Sequence, residues 1–375
     1  MNKVIYASLV GFMLMGNAPA QAALIEAGSF YSEVLALKNL AFEQSSGNYV
    51  APTVQERGAF RQLAMSLYDH NWNTAEPQAN SLGYNLVKFS NTTTNSVYWG
   101  VKEKLVNGVQ TKGWGSYYIN ENALSNVTIE VPHPVFDSNT HRLGERVFER
   151  SDANGFMIAG SHRSANGSQT ANPTSLDFSI FQEVHEIWNG GYGDSTAWQM
   201  HGYGKSTKSK FPDGTDAVLS DGAGNVTTEL VALDFELESI TDSVFGQSYV
   251  YNQLATDDIL NELVNGVGQN GHTPFWRLRA FNNPQGQFSR DAGGTFVHIE
   301  TSTHIRSGPT NRETHLANAI VRAIQTTSLG TAGHVSSIPE PETPLLFLFG
   351  LAGVAFIRKK KSPVQPRVRH TVFVS

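Results

Sequence analysis

From Ser96 onward the apolar positions change period repeatedly, and the changes predict strands alternating with helices. Val127, Ile129 and Val131 alternate with Thr128 and Glu130, the two-residue period of a strand with one apolar face, running into Pro132-His133. Phe156 to Gly160 is a short unbroken apolar run, as expected of a strand covered on both faces. Ile180, Phe181, Val184, Ile187 and Trp188 follow helical spacing and predict an amphipathic helix. Further strands are expected over Ala197 to Met200, ending at His201, and over Ala217 to Leu219, Phe275 to Phe281 and Phe296 to Glu300. A helix over Thr314 to Ile324 closes the set. This alternation marks residues 96–328 as a layered α/β domain. Upstream, residues 23–95 read as mainly helical, with Phe60, Leu63, Ala64, Leu67 and Tyr68 on one stripe.

Both ends of the chain have a different character. Lys3, the apolar run Val4 to Met15 and the small-residue site Ala20-Gln21-Ala22 predict a signal peptide over residues 1–22. A polar linker over 329–337 leads to Pro339-Glu340-Pro341, the apolar run Leu345 to Ile357 and the basic stop Arg358-Lys359-Lys360-Lys361. Prolines start the apolar segment cleanly, and the basic run resists translocation. Residues 338–361 resemble the PEP-CTERM sorting tail of Gram-negative bacteria. The resemblance implies an exosortase-type sorting protease as partner. It also implies residence in the periplasm, cell envelope or extracellular matrix, with transient anchoring in the inner membrane through residues 345–357. A basic extension, 362–375, follows where such tails usually end.

Charge and composition narrow the function. Between Ala23 and Ser337 there are 20 Lys and Arg against 31 Asp and Glu, a formal charge of −11, where the whole chain carries −6. So acidic a body lacks the basic footprint of a nucleic-acid binder. Zero cysteines exclude disulfides, thiol nucleophiles and cysteine-ligated metals, so a metal here must sit on carboxylates and on some of the 12 histidines. No Gly-x-Ser-x-Gly elbow stands at a strand-to-helix turn, which argues against serine-type hydrolysis.

Several polar residues fall at expected strand ends, where open α/β sheets bind ligands. His133, held between Pro132 and Pro134, is followed four residues on by Asp137. The two suit a metal-ligand pair, although Asp137 also suits the cap of the next helix. His201 ends a strand before Gly202, which is expected to let the chain turn sharply. Two histidines and a carboxylate are the donor set of a catalytic zinc, which leaves one position open. Phe296, His298 and Glu300 share one strand face, and Glu300 suits either a general base or a salt bridge with Arg306 or Arg279. Arg163 suits a bidentate grip on a substrate carboxylate, and the turn Phe281 to Gly286 offers Asn282 to a substrate amide or carboxylate. His185 reads as packing and Asp221-Gly222 as turn punctuation.

In order along the chain these segments resemble N-formylglutamate amidohydrolases and, more distantly, poly-γ-glutamate hydrolases and zinc carboxypeptidases. The matching pieces are Pro132-His133, Gln199-Met200-His201-Gly202, Asp216 to Gly222, Asn282 to Gly286 and Val297 to Glu300. Where the family has an aspartate two residues before the second histidine, this chain has Gln199. The family's arginine after the late glutamate is matched only by Arg306, six residues on. The resemblance implies a three-layer α/β/α sandwich with a mixed central sheet. It implies Zn2+ on His133, His201 and a carboxylate (Asp137, or Glu145 as alternative), with Glu300 catalytic and Arg163 and Asn282 on the substrate. The expectation is an exported zinc hydrolase cleaving an amide bond in an N-acyl amino acid, γ-glutamyl or cell-wall peptide substrate. The alternative is a non-catalytic envelope or matrix protein on the same scaffold.

Overall fold

The computed structural model describes residues 23–190, 193, 195–204, 215–240, 275, 278–307 and 311–328, and the backbone of 247–250. The expected signal peptide, linker, sorting tail and basic extension lie outside the described residues. Ten strands form one sheet in the order β1-β2-β3-β4-β6-β5-β7-β10-β8-β9. In chain order they are β1 (Leu24–Gly28), β2 (Tyr84–Asn91), β3 (Val97–Glu103), β4 (Ser116–Asn120), β5 (Ser125–Val131), β6 (Ala153–Ile158), β7 (Thr196–Tyr203), β8 (Thr215–Ser220), β9 (Gln247–Val250) and β10 (Phe296–Ser302). The sheet is mixed: β6-β5-β7-β10 run parallel, whereas β2-β3, β3-β4, β4-β6 and β8-β10 pair antiparallel.

The helices are α1 (Phe30–Leu40), α2 (Val54–Tyr68), α3 (Trp72–Ser81), α4 (Thr140–Arg150), α5 (Ile180–Trp188), α6 (Thr228–Glu238), α7 (Pro284–Asp291), the short α8 (Thr303–Arg306) and α9 (Arg312–Ser328). Adjacent residues of one strand feed different hydrophobic clusters. Tyr118, Val87 and Phe156 join α1, α4, α6 and α9 in one. Tyr117, Leu86 and Met157 join α2, α3 and α5 in the other. The expected stripe lies on α2, whose Phe60, Leu63, Ala64 and Leu67 are buried. Thr53 and Glu56 close a capping box at its start, satisfying two orphan donors.

Two expectations change. Residues 23–95 contain three helices but also β1 and β2, which pair in parallel at the sheet edge. β1 is only five residues long with no fully buried position, and the burial of β2 alternates only partly, so neither strand carries a strong period-two signal. The expected strand over Phe275 to Phe281 is absent among the described residues. Leu278 N bonds back to Phe275 O at 2.7 Å, a turn, and Ala280 sits at φ 56°, outside extended geometry.

Candidate metal centre

The parallel neighbours β5, β7 and β10 bring their carboxyl ends together. In register, Gln199 of β7 faces Glu130 of β5 and His298 of β10, and His201 faces Glu300. Trp198, Met200, Val297 and Ile299 point to the other side, into a hydrophobic cluster. Alternation therefore lays Glu130, Gln199, His201, His298 and Glu300 on one face of the central sheet. His133 follows β5 by two residues. Asp137 N bonds to His133 O at 2.9 Å, and that tight turn swings the carboxylate back over the imidazole.

Asp137 Oδ2 lies 3.2 Å from His133 Nδ1 and 3.3 Å from His201 Nδ1. Ligands of one tetrahedral zinc stand roughly 3–4 Å apart. His133, Asp137 and His201 are all buried, and one ligand atom from each lies within 4.8 Å of the others. A second grouping within the same limit joins His201 to His298 and Glu300. The His201 and His298 ring centroids are 4.6 Å apart, and His298 Nε2 is 3.9 Å from Glu300 Oε1.

The outer nitrogens of His133 and His201 are committed elsewhere. His133 Nε2 is 2.7 Å from Asn172 Oδ1, an oxygen that also accepts the Thr174 backbone N–H at 3.2 Å. A backbone N–H can only donate, so the amide orientation is fixed and His133 must carry its proton on Nε2. His201 Nε2 is 2.8 Å from Gln199 Oε1, which accepts from Asn283 Nδ2 at 2.6 Å. Asn283 is oriented in turn by the backbone N–H groups of Gln285 and Gly286 at the start of α7. Both histidines therefore turn their Nδ1 atoms toward one carboxylate oxygen.

Electrostatics agree with that arrangement. Burial pushes the Asp137 carboxyl up, but its two imidazole neighbours outweigh burial and hold it well below the usual carboxylate range. Burial lowers His201 to about 4, so this imidazole is neutral at pH 7. Three donor atoms converging in a buried site call for a proton or a cation among them. The donor set fits a divalent metal preferring nitrogen and oxygen, and zinc in particular.

The group opens into a cleft of about 820 Å³ lined by all of His133, Asp137, His201, His298 and Glu300. Arg163 and Asn282 line it as well. The Arg163 guanidinium lies 3.8 Å over the Phe136 ring, and that of Arg279 lies 4.5 Å over Phe281. Arg306, on the single turn α8, is buried against the cleft wall and donates through Nε to Thr301 O at 3.2 Å. Gly202 does not turn the chain as expected, because β7 continues to Tyr203. It makes room instead: a Cβ added there would fall inside the Arg306 guanidinium.

Asp137 is not the helix cap, since Asn139 occupies that position before α4. Glu145 does not join the metal group. It sits in α4 facing Glu149 and Glu313, and burial with those two acids pushes it up to about 9. A carboxyl whose folded pKa exceeds its unfolded value binds more protons when folded, so stability falls as pH rises between about 4.5 and 9. Glu145→Gln should flatten that decline and raise stability at pH 8 by about 2 kcal/mol, measured by urea unfolding across pH. His162 accepts the Ser164 backbone N–H at 3.0 Å within a turn, outside the metal group. Asn172, which meets His133, carries only the local turn signal of Asn172-Pro173-Thr174, whereas Asn283, in the turn whose asparagines suit a substrate, holds Gln199 instead.

Among the described residues no helix is long and apolar enough to cross a membrane, and residues 345–357 lie outside them. No curated protein and no solved structure matches this chain. The description of the PEP-CTERM protein-sorting motif matches residues 337–361, and that motif implies an exported, envelope-associated chain recognised by an exosortase.

Proposed function

We propose that this chain is an exported zinc-dependent hydrolase acting on an amide bond, with zinc held by His133, Asp137 and His201. The observation that carries the reading is the convergence of the His133 and His201 Nδ1 atoms on Asp137 Oδ2. Zinc, when bound, supplies a Lewis acid that polarises the scissile carbonyl and activates water. Glu300, opposite His201 on β10, is placed to take the proton of the attacking water and return it to the leaving amine. Arg163 and Asn282, on the cleft wall, suit the carboxylate and amide of an N-acyl amino acid, a γ-glutamyl chain or a cell-wall peptide. The two hydrophobic clusters fed by alternate strand residues support a three-layer α/β/α sandwich, the architecture that the family resemblance implies.

Metal analysis of the purified, dialysed protein is the direct test. One zinc per chain is expected, exchangeable with a chelator and restored by added zinc. A chain that takes up no stoichiometric zinc is instead a non-catalytic envelope or matrix protein, and the hydrolase reading fails with it.

A further inference from the structure

Gln199, the outer partner of His201, is itself held from behind. Its Nε2 donates to Glu130 Oε2 at 2.8 Å across the β5–β7 pair. Glu130 and His185 are wholly buried. His185 Nδ1 lies 2.6 Å from Glu130 Oε1, and Asn189 Nδ2 donates to the same oxygen at 3.4 Å. The Glu130 carboxylate thus offers an acceptor to each neighbour, and Gln199 must direct its NH2 inward to meet it. The amide carbonyl then faces the other way, toward His201. Reversing the amide would set its oxygen against a carboxylate oxygen in a wholly buried site, where such contacts are strongly unfavourable.

We infer that Glu130, acting through Gln199, is a positioning residue that holds His201 as the Nε2–H tautomer and so keeps its Nδ1 lone pair open toward Asp137. The carboxylate missing two residues before His201 is thereby replaced from the adjacent strand, with an amide as intermediary. Oriented outer partners of this kind fix the ring and proton of a ligating histidine.

The same residues contain a second pattern. Ser289 Oγ lies 3.1 Å from His185 Nε2, which completes a serine–histidine–carboxylate line with Glu130. All three are at most 1% exposed and none lines the cleft, so no substrate reaches the hydroxyl. The line anchors the Glu130 carboxylate from its far side.

The ligand role rests on the zinc reading, whereas the tautomer can be observed without metal. In the full chain labelled with 15N at histidine, long-range 1H–15N correlations read the His201 tautomer, assigned by its loss in His201→Asn. Competition with a chromophoric chelator reads zinc affinity. Wild type should show Nε2–H. Glu130→Gln, which leaves Asn283 alone to orient the Gln199 amide, should weaken that preference and bind zinc about 10–100-fold more weakly. The exchange Glu130→Gln with Gln199→Glu should restore both, because a carboxylate then meets His201 directly and an amide meets it from β5. If Glu130→Gln does not fold, Gln199→Met removes the acceptor without adding charge and carries the same expectation. Nδ1–H in wild type, or an unchanged tautomer in whichever of those two variants folds, overturns the inference even where zinc binds. Wild type with the stated tautomer but no zinc overturns the metal reading and the ligand role of His201 with it.

Discussion

Glu300→Gln should leave zinc in place and lower turnover by about 10²–10⁴-fold, the usual worth of a positioned general base. Glutamine keeps the shape and hydrogen-bonding reach of the side chain but cannot take a proton. Glu300 lies on the carboxyl half of β10, opposite His201, where its carboxylate faces the cleft. It stands outside the His133–Asp137–His201 group, so its loss removes a base and not a ligand. The measurement is paired: zinc content by metal analysis, and turnover on N-acyl amino acid and γ-glutamyl substrates. Retained zinc with unchanged turnover would take Glu300 out of the mechanism. Zinc lost with turnover would move the metal to the second grouping, where Glu300 joins His201 and His298.

Much of the polar sheet face beneath the site could be read from strand alternation. Thr128 and Glu130, Gln199 and His201, and His298 and Glu300 each interrupt an apolar period of two, and each pair falls on the sheet face away from Trp198, Met200, Val297 and Ile299. What periodicity cannot supply is strand order. That β7 lies between β5 and β10, with β8 returning antiparallel beyond, is a long-range outcome, and it alone sets Gln199 between Glu130 and His298. Glu145, the alternative carboxylate to the preferred Asp137, is set apart by the fold: the Pro-bracketed turn returns Asp137 to the imidazole, while Glu145 is carried along α4 toward Glu149. Asn172 was illegible for a third reason. Its ligand partner is 39 residues away, and locally it looks like any asparagine that closes a turn.

Asp137→Asn separates a metal ligand from a hydrogen-bonded structural acid through the response to zinc. A carboxyl held below its ordinary range stabilises the fold at neutral pH, so at a site 4% exposed asparagine should destabilise the metal-free protein in either case. Zinc at 1,000 times its dissociation constant should stabilise the wild type by about 4 kcal/mol and the variant not at all. In thermal melts that difference is a rise of roughly 5–10 °C on adding zinc, present in one protein and missing in the other. A variant that keeps its response to zinc would show that Asp137 is not the carboxylate on which the two imidazoles converge for a metal.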